Sequence, residues 1–259
     1  MVKLGWIGKA TKVQLKAAEL LSFFGFASHQ SWNKYYYDQK LKTAFRISLK
    51  STKEPFAISA WLRRGELQAS EMRAGQYSPK IFQDTLSKIK VIMAEHPSDF
   101  FSQLQEVCAS AGVKIVHTPC LPKAPLNGST RWINDQPLIQ MTGSNKRNDI
   151  FWFTFFHEAG HILLHGKKEI FLEDVDYSEK DLEKEREADE FAKRWTLTEE
   201  QEAVILENQT LTEEMVREYA KAFETHPGII IGRLQHRKLI HPSVGRDLIE
   251  KIELSSFDI

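Results

Sequence analysis

The sequence predicts an α+β fold, mainly helical, in which a small β-sheet packs on one helix bearing metal-type ligands. Three observations predict it. The run His157-Glu158-Ala159-Gly160-His161 has HExxH spacing and lies between apolar stretches. Most of the remaining chain shows helical periodicity bounded by capping and breaking residues. Only residues between 113 and 141 alternate and β-branch as strands do. The chain accordingly divides into a helical N-terminal region (1–97), a core (98–196) and a helical C-terminal region (197–259).

In chain order, Lys12 to Phe24 places Val13, Leu15, Ala17, Ala18, Leu20 and Leu21 at helical spacing, and Gly25 stops the helix. Trp32, Tyr35, Tyr36 and Tyr37 follow, with Lys34, Lys40, Lys42 and Arg46 nearby. Such a set can stack bases, although packing between helices is its commoner use. Phe56 to Met72 is a second helix, with Arg63-Arg64 on its solvated edge, and Pro79 to Glu95 a third, capped by Ser78 and broken by Pro97. Ser98 to Ser110 makes a further helix ending at Gly112, and Val113 to His117 a strand. Pro119, Pro122 and Pro125 mark a loop before a hairpin of Thr130 to Ile133 and Leu138 to Met141. An edge strand at Leu138 to Met141 would bind an extended peptide by strand addition. After the core, Thr198-Glu199-Glu200-Gln201 starts a helix and Thr212 to Phe223 forms another. His226-Pro227-Gly228 separates it from Ile229 to Arg237. The pair has a helix-turn-helix outline, with Arg233, His236, Arg237 and Lys238 on or near its second helix, but plain packing is the commoner use of two such helices.

The chemistry sits in the HExxH run. Residues four apart on a helix stand nearly in register, so His157 and His161 reach one ion from adjacent turns. Glu158 then lies beside the metal, placed to take a proton from a metal-activated water and return it to a leaving amine. The flanking runs Asp149 to Phe156 and Ile162-Leu163-Leu164 are apolar, which puts the histidines on a buried helix, where unpaired imidazoles would be costly. A hydrolytic zinc keeps three protein ligands and one open position. The segment Glu185 to Ala192 offers the third ligand: Glu185 and Asp189 share a helical face, and Glu187 lies about 200° round from Glu185. We take Glu185 as the ligand and Asp189 as the acceptor of a ligand imidazole N–H, with Glu187 the alternative ligand. His165 drifts off the ligand face. It is a candidate contact for substrate or oxyanion, or equally a helix-end histidine. Two imidazoles and a carboxylate suit zinc best among divalent metals.

Composition sets limits. At 259 residues with 42% hydrophobic content the chain has ample material for a packed core. Thirty-five basic and thirty-five acidic residues cancel, so no global field draws it to nucleic acid or an anionic membrane. Cys108 and Cys120 have neither CxxC nor metal spacing, which fits a reducing compartment. Neither a secretory signal nor an apolar run of about eighteen residues is present, and the expected address is the cytoplasm.

With HEAGHILLH followed by EREADEFA, the stretch from about Val113 to Trp195 resembles the ImmA/IrrE family of zinc-dependent metallo-endopeptidases. The resemblance implies a zincin-like core with His157, His161 and Glu185 at the ligand positions and Glu158 as general base. It also implies a protein partner: a helix-turn-helix repressor, or the antitoxin of a toxin-antitoxin pair. No repressor-like segment is evident in the first hundred residues. The partner is then encoded separately, or the DNA-binding part lies outside this sequence, and region 1–97 is expected to recognise partner or substrate. The competing reading is a non-proteolytic regulator with a structural or latent zinc site.

Overall fold

The computed structural model describes residues 1–35, 55–122, 126–166, 171–172, 179–208 and 210–254. Tyr36, Tyr37, Lys40, Lys42, Arg46 and Pro125, named above, lie outside them. The described chain is mostly helical with one small sheet, an α+β arrangement.

Local signals account for most element ends. Helix α1 (Val13–Phe24) stops at Gly25, whose φ of 75° suits a residue without Cβ. Helix α2 (His29–Trp32) is short, and Trp32 stacks on Phe56 of α3 (Pro55–Glu71) with ring centroids 5.4 Å apart. With Trp6, Phe23, Phe24 and Trp61 it forms an N-terminal core, so this aromatic is used for packing. Ser78 caps α4 (Pro79–Glu95), and α5 (Phe100–Ser110) leads into β1 (Lys114–His117). Strands β2 (Gly128–Ile133) and β3 (Gln136–Met141) are joined through Asn134 and Asp135, both at positive φ as two-residue hairpin turns favour. Then come α6 (Asn148–Leu164), β4 (Phe171–Leu172), α7 (Glu179–Thr196), α8 (Glu199–Leu206), α9 (Glu213–Ala222) and α10 (Pro227–His236). Thr198 and Gln201 close a reciprocal capping box at the start of α8.

The strand order is β1-β3-β2-β4. Here the sequence expectation needs correction: Leu138 to Met141 is not an edge. Strand β3 pairs in parallel with β1 and antiparallel with β2, so its backbone has no open side for an added peptide. The edges are β1 and β4, the latter paired to Ser129 and Thr130 of β2.

The sheet divides by alternation. Ile115, Ile139 and Met141 join Trp152, Phe155, Phe156 and Ala159 of α6 in the main core. From the same face Thr130 donates its hydroxyl to the Glu158 carbonyl at 3.0 Å. The other face meets α3: the buried Arg131 donates to Leu62 O (2.8 Å) and Gln140 to Trp61 O (2.8 Å), while Val116 and Leu138 pack on Ala69. Helix α6 therefore lies under the sheet with α7 beside it. The main core runs in sequence from Phe82 to Ile252. In the C-terminal region, Arg233 donates to Glu202 at 2.7 Å and Arg237 also pairs with that carboxylate, which is almost fully buried. Two of the four basic residues named for that helix-turn-helix outline, Arg233 and Arg237, are thus paired with Glu202. No helix among the described residues is long and apolar enough to cross a membrane.

Candidate metal centre

Helix α6 is buried nearly all round, and His157, Glu158 and His161 are at most 3% exposed. Glycine 160 allows a second helix to approach it closely. A Cβ there would stand 3.1 Å from Phe191 Cβ and 3.2 Å from Ala188 Cα, so α7 packs directly on the backbone of α6 at this turn. That contact brings the acidic residues of α7 to the histidines of α6.

Three ligand-type side chains converge. His157 Nε2 and His161 Nε2 are 3.0 Å apart, Glu185 Oε2 is 3.1 Å from the first, and Glu185 Oε1 is 3.5 Å from the second. Among the described residues, His157, His161 and Glu185 are the group able to hold a metal. The alternative, Glu187, instead bonds His165 at 2.8 Å. Asp189 accepts from His157 Nδ1 at 2.9 Å.

The donor set fits a cation. The bond to Asp189 fixes the proton of a neutral His157 on Nδ1, which leaves a lone pair on Nε2. That lone pair faces a carboxylate and a second imidazole nitrogen, an arrangement that a divalent metal satisfies. Burial pushes His161 down to about 4, outweighing the Glu185 carboxylate that would raise it, so this ring is neutral at neutral pH. A neutral ring is the state a metal requires of an imidazole ligand.

Glu158 is fully buried one residue from His157. It lies against β2, where a Cβ on Gly128 would stand 2.8 Å from Glu158 Oε1 and 2.7 Å from the Thr154 methyl. Sequence reasoning missed Gly128, because a lone glycine opening a strand carries no signal of what packs on it.

His165 lies at the C-terminal boundary of α6 with extended backbone (φ −115°, ψ 138°). Its Nδ1 is 3.0 Å from His161 Nδ1, and its Nε2 contacts Glu187. The structure thus groups His157, His161, Glu185, Asp189, His165 and Glu187 with Glu158 adjacent, and places His165 beside the Nδ1 of His161.

No curated protein matches the chain. Residues 108–234 match the peptidase family model M78, described as the IrrE N-terminal-like domain. The match starts in α5, takes in the sheet, α6 and α7, and ends within α10. Residues 108–234 are therefore an IrrE N-terminal-like domain of the ImmA/IrrE peptidase type.

Proposed function

We propose that this chain is a zinc-dependent endopeptidase with a zincin-like core that inactivates a protein partner by cleaving it. One observation carries the reading: two buried imidazole nitrogens and a carboxylate meet at one point, on a helix where Glu158 follows His157, inside a peptidase-family domain. A bound zinc supplies Lewis acidity, polarising the scissile carbonyl and acidifying water.

The residues supply the rest. His157, His161 and Glu185 hold the metal. Glu158 takes the proton of the attacking water and passes it to the leaving amine, so no covalent intermediate with the protein forms. Asp189 keeps the His157 ring oriented. The Thr130 hydroxyl, bonded to the Glu158 carbonyl, ties this turn of α6 to the sheet and restricts drift of the carboxylate.

The proposed substrate is a separately encoded helix-turn-helix repressor or the antitoxin of a toxin-antitoxin pair, with region 1–97 as its recognition element. Such a partner places the chain in the cytoplasm. Resemblance to the family supports this choice. The test incubates purified chain with the repressor encoded beside its gene and follows fragments by mass spectrometry. Wild type should cut at a defined bond, and Glu158→Gln should retain its metal while losing at least about 100-fold in rate. A fully zinc-loaded wild type that binds the repressor without cutting it would refute the peptidase reading and favour a non-proteolytic regulator.

A further inference from the structure

The two histidine ligands are anchored differently. His157 gives its Nδ1–H directly to Asp189. The contact at His161 Nδ1 is another imidazole, His165, at 3.0 Å, and a carboxylate stands beyond it: Glu187 Oε2, 2.8 Å from His165 Nε2. We propose that His165 and Glu187 form a hydrogen-bonded relay that sets the tautomer of His161 and orients its ring. The proposal rests on the metal-site reading and extends it to two positioning residues.

Proton placement follows from the chemistry of the three groups. A carboxylate only accepts, so Glu187 takes the Nε2–H of His165. A neutral His165 then has a lone pair on Nδ1 and can only accept there. The proton between the two rings therefore belongs to His161 Nδ1, and His161 Nε2 is left with the lone pair that faces His157 Nε2 and Glu185. Without the relay, His161 is free to carry its proton on Nε2, the tautomer that cannot ligate.

The backbone shows why an intermediary is used. His161 Nδ1 meets His165, the residue one turn on at the end of α6. His165 leaves the helix in extended conformation, with its N–H still bonded to His161 O at 3.2 Å, and this places its ring between His161 and Glu187. One end of the relay is buried and the other reaches the surface: the His165 side chain is 4% exposed and that of Glu187 53%. Glu187 thus acts through His165 and His161, two groups away from the metal.

The test measures zinc affinity by competition with a chromophoric chelator, and the His161 tautomer of the metal-free protein by long-range 15N–1H imidazole spectra. Variants are His165→Leu, Glu187→Ala and His165→Gln, with Asp189→Ala as the parallel on the other ligand. Removing an outer partner of a metal-bound histidine costs about 10–100-fold in affinity, and that loss is expected for His165→Leu and Glu187→Ala. In both, His161 should shift from the Nδ1–H toward the Nε2–H form. Glutamine at 165 offers an acceptor and a donor at spacing like that of the ring, so His165→Gln should recover most of the affinity and the tautomer, which a merely space-filling role does not predict. A half-exposed Glu187 can be replaced without unfolding the chain, so the Glu187→Ala result stands even if His165→Leu misfolds. Zinc-binding wild type with unchanged affinity and His161 tautomer in Glu187→Ala would overturn the relay alone. A wild type that takes up no zinc would overturn the metal site and the relay together.

Discussion

Gly128→Ala tests whether the position of Glu158, rather than the metal alone, governs turnover. The added Cβ would stand 2.8 Å from Glu158 Oε1, 3.2 Å from Glu158 Cγ and 2.7 Å from Thr154 Cγ2. Ordinary contact begins at 3.4 Å, so the carboxylate must retreat by about 0.6 Å. A misplacement of about 1 Å costs on the order of 100-fold, and the shift here scales to roughly 10-fold in kcat. The carboxylate is the far end of a flexible side chain and yields readily, whereas the Thr154 methyl is stiff. Overpacking there costs about 1–2 kcal/mol, offset by about 0.5–1 kcal/mol from replacing a strand glycine. None of the atoms closest to the new methyl belongs to His157, His161 or Glu185, so zinc content should hold. The assays are steady-state cleavage, zinc per chain and thermal unfolding on the same preparation. An unchanged kcat with zinc and stability intact would refute the reasoning, as would a loss of zinc in place of a loss of rate.

Two further predictions concern stability. Glu202→Ala leaves Arg233 buried without its carboxylate and should destabilise by about 2–3 kcal/mol, less than a fully buried pair because Arg237 is half exposed, with zinc content unchanged; a shift in urea midpoint too small to measure would contradict the packing role assigned to these arginines. In the metal-free protein, burial lowers His161 from 6.5 to about 4. It protonates first in the unfolded chain, so the stability it contributes is present above about 6.5 and is lost as pH falls toward about 4; equal urea midpoints at pH 7.5 and 4.5 would contradict this.

How far the sequence could be read depended on whether a feature was local. The caps at Ser78, Thr198 and Thr212 and the stops at Gly25 and Gly112 are signalled within a few residues, and those helices fell where expected. The pairing of β1 with β3 was not legible, because a hairpin pattern identifies two neighbours without saying which of them accepts a third strand. The two-residue β4 is too short to leave a periodicity. At the centre, helical spacing brought His157 and His161 together and put Glu185 and Asp189 on one face. It gave Glu187 no partner, since it placed a carboxylate by its own helix and could not foresee that His165 leaves α6 in extended conformation to meet it. The ion pairs of Arg233 and Arg237 were not legible for a similar reason: Glu202 is 31 and 35 residues away in sequence.

The most direct test of the account is zinc content, by inductively coupled plasma mass spectrometry, of wild type, Glu158→Gln, His157→Ala, His161→Ala and Glu185→Ala. The account predicts about one zinc per chain in wild type and Glu158→Gln, as a catalytic site with three protein ligands requires, and almost none in the three ligand variants. Full zinc in Glu185→Ala, or none in the wild type, would contradict it.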